Sequence, residues 1–176
     1  MSGVGASKAA VRGVVPVVPT KGTRTHAASS SVERPTGSTG VAGIVGVHHV
    51  GMICKDLEKS VVFYRDVLGL PTKMDRPDDK LPFRGAWFWI GTESIHLMEV
   101  PNPDPTDLSL RPEHGGRDRH FCMGVEDVDA LEDALRENGV QYTKSKSGRA
   151  AIFFRDPDAN TLECLEVSGT GPWREY

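Results

Sequence analysis

His49–Leu70 reads HVGMICKDLEKSVVFYRDVLGL, and His120–Val140 reads HFCMGVEDVDALEDALRENGV. Laid one over the other, both open on His, place Met three residues later (Met52, Met123) and Asp seven residues later (Asp56, Asp127), and align Arg65 with Arg136. Self-similarity at this scale marks a duplicated structural unit. Each copy opens as a strand, and its Asp is placed to cap a helix by accepting backbone N–H bonds. Gly69 and Gly139 stand where helices commonly close. Leu57, Val61, Tyr64 and Leu68 recur at helical spacing in the first copy, as do Val128, Leu131 and Leu135 in the second.

β-rich pieces follow each helix: RGAWFWIG and IHLMEV in the first copy, then QYTKS, AAIFF and LECLEV in the second. Gly91-Thr92-Glu93-Ser94 and Asp156-Pro157-Asp158-Ala159-Asn160 carry turn chemistry between antiparallel strands. Each half therefore reads as strand-helix-strand-strand-strand, an α+β plan. Between the halves, Pro101–Arg119 is rich in Pro, Gly and charge and reads as a connector that could also cover a cleft.

The copies differ where it matters chemically. His49 and His120 hold the same place in the first strand of each half, while His96 and Glu163 hold the same place in the last. Alternation of strand side chains sets His48, Glu99 and Glu166 on the opposite faces. An approximate twofold between the halves would let all four residues reach one central point. Three imidazoles and one carboxylate suit a single divalent ion of Ni, Mn, Zn, Fe or Co, with positions left for water or substrate oxygens. A cation also gives partners to polar groups that are costly to bury alone.

Other residues read more plainly. Trp87 and Trp89 share one strand face and Phe88 the other, so one set could line the cleft, with core packing the expected role of the indoles. Cys122 shares the parity of His120 and is expected as a small buried thiol rather than a nucleophile. Arg84, Arg117, Arg119 and Arg149 could bind a carboxylate or phosphate on a substrate, with a plain surface position the expected one.

The net charge of -3, with acidic and basic residues mixed, lacks the basic footprint of a nucleic-acid binder. No apolar run approaches the roughly 18 to 20 residues of a membrane span. Small-molecule chemistry is the natural role. Cys54, Cys122 and Cys164 are too few and scattered for a disulfide framework or a Cys-rich zinc site, which fits a reducing compartment. Residues 1–45 hold five Lys or Arg but one acidic residue, Glu33, among many Ser, Thr, Ala and Gly. That composition suits a transit peptide, with the chloroplast as the expected destination and the mitochondrion or cytoplasm as alternatives. The expected organisation is a tail over 1–45, one domain over 46–168 with modules at 46–100 and 118–168, and a C-terminal tail over 169–176.

HHVGM with its following DLEKSVVFYRDVLGL, then IHLMEV, RHFCMGVEDV and DPDANTLECLEV, together resemble the vicinal oxygen chelate superfamily, which includes glyoxalase I, fosfomycin-resistance proteins and extradiol dioxygenases. The likeness covers about Val45 to Val167. RGAWFWIG, IHLMEVPNPDP and RPEHGGRDRH look most like glyoxalase-like proteins of plants, algae and cyanobacteria, several of them plastid-targeted. The resemblance implies paired βαβββ modules forming a curved, incomplete barrel sheet around a metal-binding cleft, often in a homodimer. The family's four ligand positions fall on His49, His96, His120 and Glu163. A basic residue often stands where Arg149 does, which makes it a candidate substrate contact.

Glyoxalase I usually carries Glu at the position of His96, so this chain keeps one carboxylate of the customary two. The function implied is a metal-dependent lyase or isomerase acting on a small vicinal-dioxygen substrate, an α-oxo or α-hydroxycarbonyl compound or a hemithioacetal, with Glu163 as the proton shuttle. The alternatives are a metal- or ligand-binding protein without turnover and an Fe(II) dioxygenase using His49, His120 and Glu163.

Overall fold

The computed structural model describes residues 43–167; the N-terminal segment before them and the C-terminal residues after them lie outside the described residues. The first module runs β1 (His49–Cys54), α1 (Leu57–Val61), β2 (Thr72–Lys73), β3 (Gly85–Ile90) and β4 (Glu93–Glu99). The second runs β5 (His120–Val125), α2 (Val128–Glu137), β6 (Tyr142–Lys144), β7 (Ala151–Arg155) and β8 (Thr161–Glu166). Each makes its own four-stranded mixed sheet, ordered β1-β4-β3-β2 and β5-β8-β7-β6. The outer pair of each is parallel and the rest antiparallel. The expected βαβββ duplication is present as two sheets, and they do not close into a barrel. β2 is only two residues long and carried no signal in the sequence. The turn before β4 is tighter than expected, because Glu93 and Ser94 already belong to the strand.

The matching letters of the two copies have matching roles. Asp56 accepts the N–H of Lys59 (3.1 Å) and Asp127 that of Ala130 (2.9 Å), each an N-cap. Gly69 and Gly139 both adopt φ +69°, the left-handed conformation that ends a helix without a Cβ penalty. The Glu-Val that closes both IHLMEV and LECLEV is also explained. Leu57 N–H donates to Glu99 Oε1 (3.0 Å) and Val128 N–H to Glu166 Oε2 (3.1 Å), so each last strand satisfies a free amide at the start of its own module's helix.

The helix faces point as their spacing predicts. Leu57, Tyr64, Val128 and Leu135 are buried with Phe88, Ile95, Leu97, Ile152, Phe154 and Leu162 in one core. Phe63 joins them because α1 continues as a π-helical turn over Val62–Val67, whose extra residue per turn brings two successive aromatics inward. No helix among the described residues is long and apolar enough to cross a membrane.

DPDAN does more than turn the chain. Asp156 accepts from the fully buried Tyr64 hydroxyl (2.9 Å), Asp158 from Lys55 N–H (2.9 Å) and Ser60 Oγ–H (3.3 Å), and Asn160 Nδ2–H donates to Ile53 O (2.9 Å). The second module's hairpin thereby clasps the first module's strand and helix. Burial raises the pKa of Asp156 even though hydrogen bonds from Asn160 and Tyr64 work to lower it.

Candidate metal and substrate site

Alternation places the candidate ligands on the faces of the sheets turned away from the helices. In β1, Met52 and Cys54 are buried while His49 and Gly51 are exposed; in β5, His120 and Cys122 are exposed. Gly51 pairs with His96 and Cys122 with Glu163 across the parallel strands, so the two halves match position for position. β1 and β5 are also the outermost strands of their sheets, so each candidate pair lies at an open edge.

In the first module the His96 ring lies between two others. Trp87 stacks on it at 3.9 Å and 8°, and His49 at 4.1 Å and 10°. Ser94 Oγ lies 3.0 Å from His96 Nε2. Burial, helped by the nearby charges of His49 and Lys73, pushes the His96 pKa down to about 4, which keeps the ring neutral near pH 7. The Lys73 ammonium sits 5.1 Å from the Trp87 ring and 4.6 Å from that of Trp89, and pairs with Asp75. Of β3, Phe88 enters the core fully, whereas Trp87 builds the candidate site and Trp89 is exposed. The expectation of indole core packing is corrected by the register, which sets Trp87 opposite His96.

The second module holds its pair by hydrogen bonds. His120 Nε2 lies 3.2 Å from Glu163 Oε2, and His120 Nδ1 lies 2.7 Å from the carbonyl oxygen of Asp118. A carbonyl can only accept, so Nδ1 carries a proton and Nε2 is the nitrogen that faces Glu163. Glu163 is only 6% exposed, and its Oε1 is buried without a hydrogen-bond partner. Arg149 Nη2 comes to 3.9 Å of that oxygen. Phe153, opposite Glu163 in the sheet, meets the His120 ring edge to face at 5.3 Å.

Cys122 is exposed rather than buried, but burial of its sulfur and the Glu163 charge push the thiol up to about 11, so it is no thiolate nucleophile near neutrality. Among the other arginines weighed as substrate contacts, Arg84 pairs with Glu58 and Glu99, and Arg119 pairs with Asp104.

The four predicted ligands thus come together as two pairs. Among the described residues, no three His, Cys, Asp or Glu side chains gather in a way that could hold a metal ion, so the expected convergence of all four does not occur within one chain. The physical reason is the topology: the two edge strands belong to separate sheets.

The second pair offers two donor groups of a kind that divalent ions accept, His120 Nε2 and the Glu163 carboxylate, whose buried Oε1 has no hydrogen-bond partner. His49 and His96 supply imidazoles too, but nearly parallel rings aim their in-plane lone pairs along parallel planes, so one ring must turn to share an ion. Asp118, which braces the second pair, carries no signal in the sequence because it acts through its backbone, and only the hairpin register sets Trp87 against His96 rather than in the core.

Residues 46–164 match the family model of the Glyoxalase/Bleomycin resistance protein/Dioxygenase superfamily. Glyoxylase I 4 of Arabidopsis thaliana is 30% identical over 128 residues, covering 68% of this chain and 70% of that protein. A lactoylglutathione lyase of Haemophilus influenzae is 29% identical, covering 69% and 93%. In fold, the chain is similar to a fosfomycin resistance protein of Listeria monocytogenes solved with Mn(II) and dihydroxypropylphosphonic acid, with TM-score 0.56, 22% identity, and coverage of 72% and 94%. With the duplicated βαβββ plan already described, these matches show that the chain belongs to the Glyoxalase/Bleomycin resistance protein/Dioxygenase superfamily.

Proposed function

We propose that the chain is a metal-dependent lyase or isomerase of a small vicinal-dioxygen compound, and that its centre is completed between two copies. His120 and Glu163 of one copy would face His49 and His96 of the other. The observation that carries this reading is Glu163: a buried carboxylate 3.2 Å from the imidazole Nε2 of His120, with its other oxygen without a hydrogen-bond partner. The open edges β1 and β5 support assembly from two copies, since unpaired strand edges on which half-sites lie need a covering partner.

A divalent ion bound there supplies Lewis-acid polarisation of two adjacent substrate oxygens. The chain's own residues do the rest. Glu163, with one oxygen free of hydrogen bonds, takes a proton from one substrate carbon and returns it to the neighbouring carbon, a general-base role that contributes roughly 10²- to 10⁴-fold in rate. Arg149, exposed beside Glu163, binds an anionic group of the substrate. Trp87 and Phe153 wall the two half-sites with aromatic surface.

The reading is tested by loading the protein with Ni(II), Mn(II), Zn(II), Fe(II) or Co(II) and following hemithioacetal and α-hydroxycarbonyl turnover, with deuterium uptake from solvent at the reacting carbon. Exchange should vanish in Glu163→Gln. An absence of turnover with every metal and substrate, alongside tight binding of unchanged ligand, would replace it with the binding-only reading. Assembly between copies is tested by mixing Glu163→Gln with His96→Ala protein. Each alone lacks an intact centre, and a mixed dimer regains one of its two. No recovery on mixing would sink it.

We further propose import into the chloroplast, supported by the basic, acid-poor segment 1–45. A fluorescent fusion to this segment that stays cytosolic in plant cells would refute it.

A further inference from the structure

We propose that Asp118 is a positioning residue for His120, setting which imidazole nitrogen faces Glu163; this rests on reading His120 as a metal ligand. The backbone carbonyl of Asp118 accepts the Nδ1–H of His120 at 2.7 Å. Its carboxylate fixes where that carbonyl stands. Arg111 Nε and Arg155 Nη1 approach the same carboxylate oxygen at 2.9 and 2.8 Å, and all three side chains are nearly buried. The other oxygen accepts from Arg119 N–H at 2.8 Å.

Both guanidinium groups reach further. Arg111 donates to Pro105 O and Arg155 to Pro112 O, each on the connector, and Arg155 also donates to Thr161 Oγ1 at 2.6 Å, the residue opposite His120 in β8. Gly115 presses the connector onto the same place, where a Cβ would come within 2.7 Å of Phe153 and 2.8 Å of Thr161. The connector is therefore pinned to β7 and β8 at the point where β5 begins, and the carbonyl of Asp118 has one place to be. A neutral imidazole carries a single N–H. Spending it on that carbonyl leaves Nε2 bare, 3.2 Å from Glu163 Oε2, the form a ligand requires. Among the described residues no backbone carbonyl accepts from the His49 ring, whose Nδ1 meets His48 Nδ1 at 2.9 Å.

The test uses ¹⁵N–¹H correlation spectra of the imidazoles in the metal-free full-length protein at pH 8, with His120 assigned by its loss in His120→Gln, and Zn(II) and Mn(II) affinity by calorimetry. The wild type should show His120 protonated at Nδ1 alone. In Asp118→Ala the two tautomers should mix and metal affinity should fall about 10- to 100-fold, the usual effect of losing an outer partner. Arg111→Gln, which releases only the connector side, should do the same more weakly and serves if Asp118→Ala does not fold. A wild-type His120 protonated at Nε2, or folded variants that keep a pure Nδ1–H ring and wild-type affinity, would overturn the proposal. Tautomer mixing in the variants without metal binding by the wild type would sink the ligand reading while leaving the positioning intact.

Discussion

The two modules repeat one backbone plan and secure their candidate site residues by unlike means. In the first, His96 is gripped by ring stacking between Trp87 and His49. In the second, His120 and Glu163 are set by hydrogen bonds, with Asp118 behind the imidazole. Stacking holds a ring's plane but lets it slide and turn, whereas a hydrogen bond to a fixed carbonyl decides the tautomer as well. Duplication has thus produced one pair fixed by hydrogen bonds and one held by ring stacking. The turns before the last strands diverge in the same sense. The first module uses an exposed Gly91-Thr92 turn, while the second uses the buried clasp of Asp156 and Asp158.

The sharpest way to break the comparison is at that clasp. Asp156→Ala removes the acceptor for the buried Tyr64 hydroxyl and for the backbone N–H groups of Asp158 and Asn160. Stability should fall by about 3–5 kcal/mol, the cost of stranding several buried polar groups, as read by urea denaturation. Next in size is the contrast between half-sites. Glu163→Gln should reduce metal affinity by more than the roughly 10- to 100-fold that losing an outer partner costs. His96→Ala should reduce it by about 10-fold, because its ring must first leave the stack. Equal losses by calorimetry would mean the halves contribute alike.

A smaller, matched pair tests the shared plan. Glu99→Ala and Glu166→Ala each free a helix N-terminal amide and should cost about 1 kcal/mol in thermal melts. Glu99→Ala should cost slightly more, since Glu99 also holds Arg84 at 2.9 Å. Smallest of all, Gly69→Ala and Gly139→Ala should each destabilise by about 1 kcal/mol or less, and equally, because both sit at φ +69° with open space around the new Cβ. A large difference between them would show that the two helix ends are not equivalent after all.

Chain-local features were legible in advance. Asp56 and Asp127 as caps, Gly69 and Gly139 as closures, and the inward faces of both helices depend on residues a few positions apart. Glu99 and Glu166 could be read off the site by parity, but their work as helix caps depends on contacts 42 and 38 residues away, which no local pattern encodes. Trp87 was misread because an indole on a strand face can turn to core or to site. The hairpin register decides, and it set Phe88 inward. DPDAN was recognised as a turn, but nothing in those five letters shows that Tyr64, Ser60 and Lys55 await them.

By itself the sequence determined that one unit occurs twice, which strand face each of four polar residues occupies, and that His96 answers to Glu163. Period and parity follow from covalent geometry, so they survive without coordinates. Tertiary structure alone decided that the four stand as two separate pairs at open sheet edges, and that a backbone carbonyl chooses the His120 tautomer. Which sheets join, and which backbone atom meets a ring, depend on long-range packing that a linear pattern does not carry.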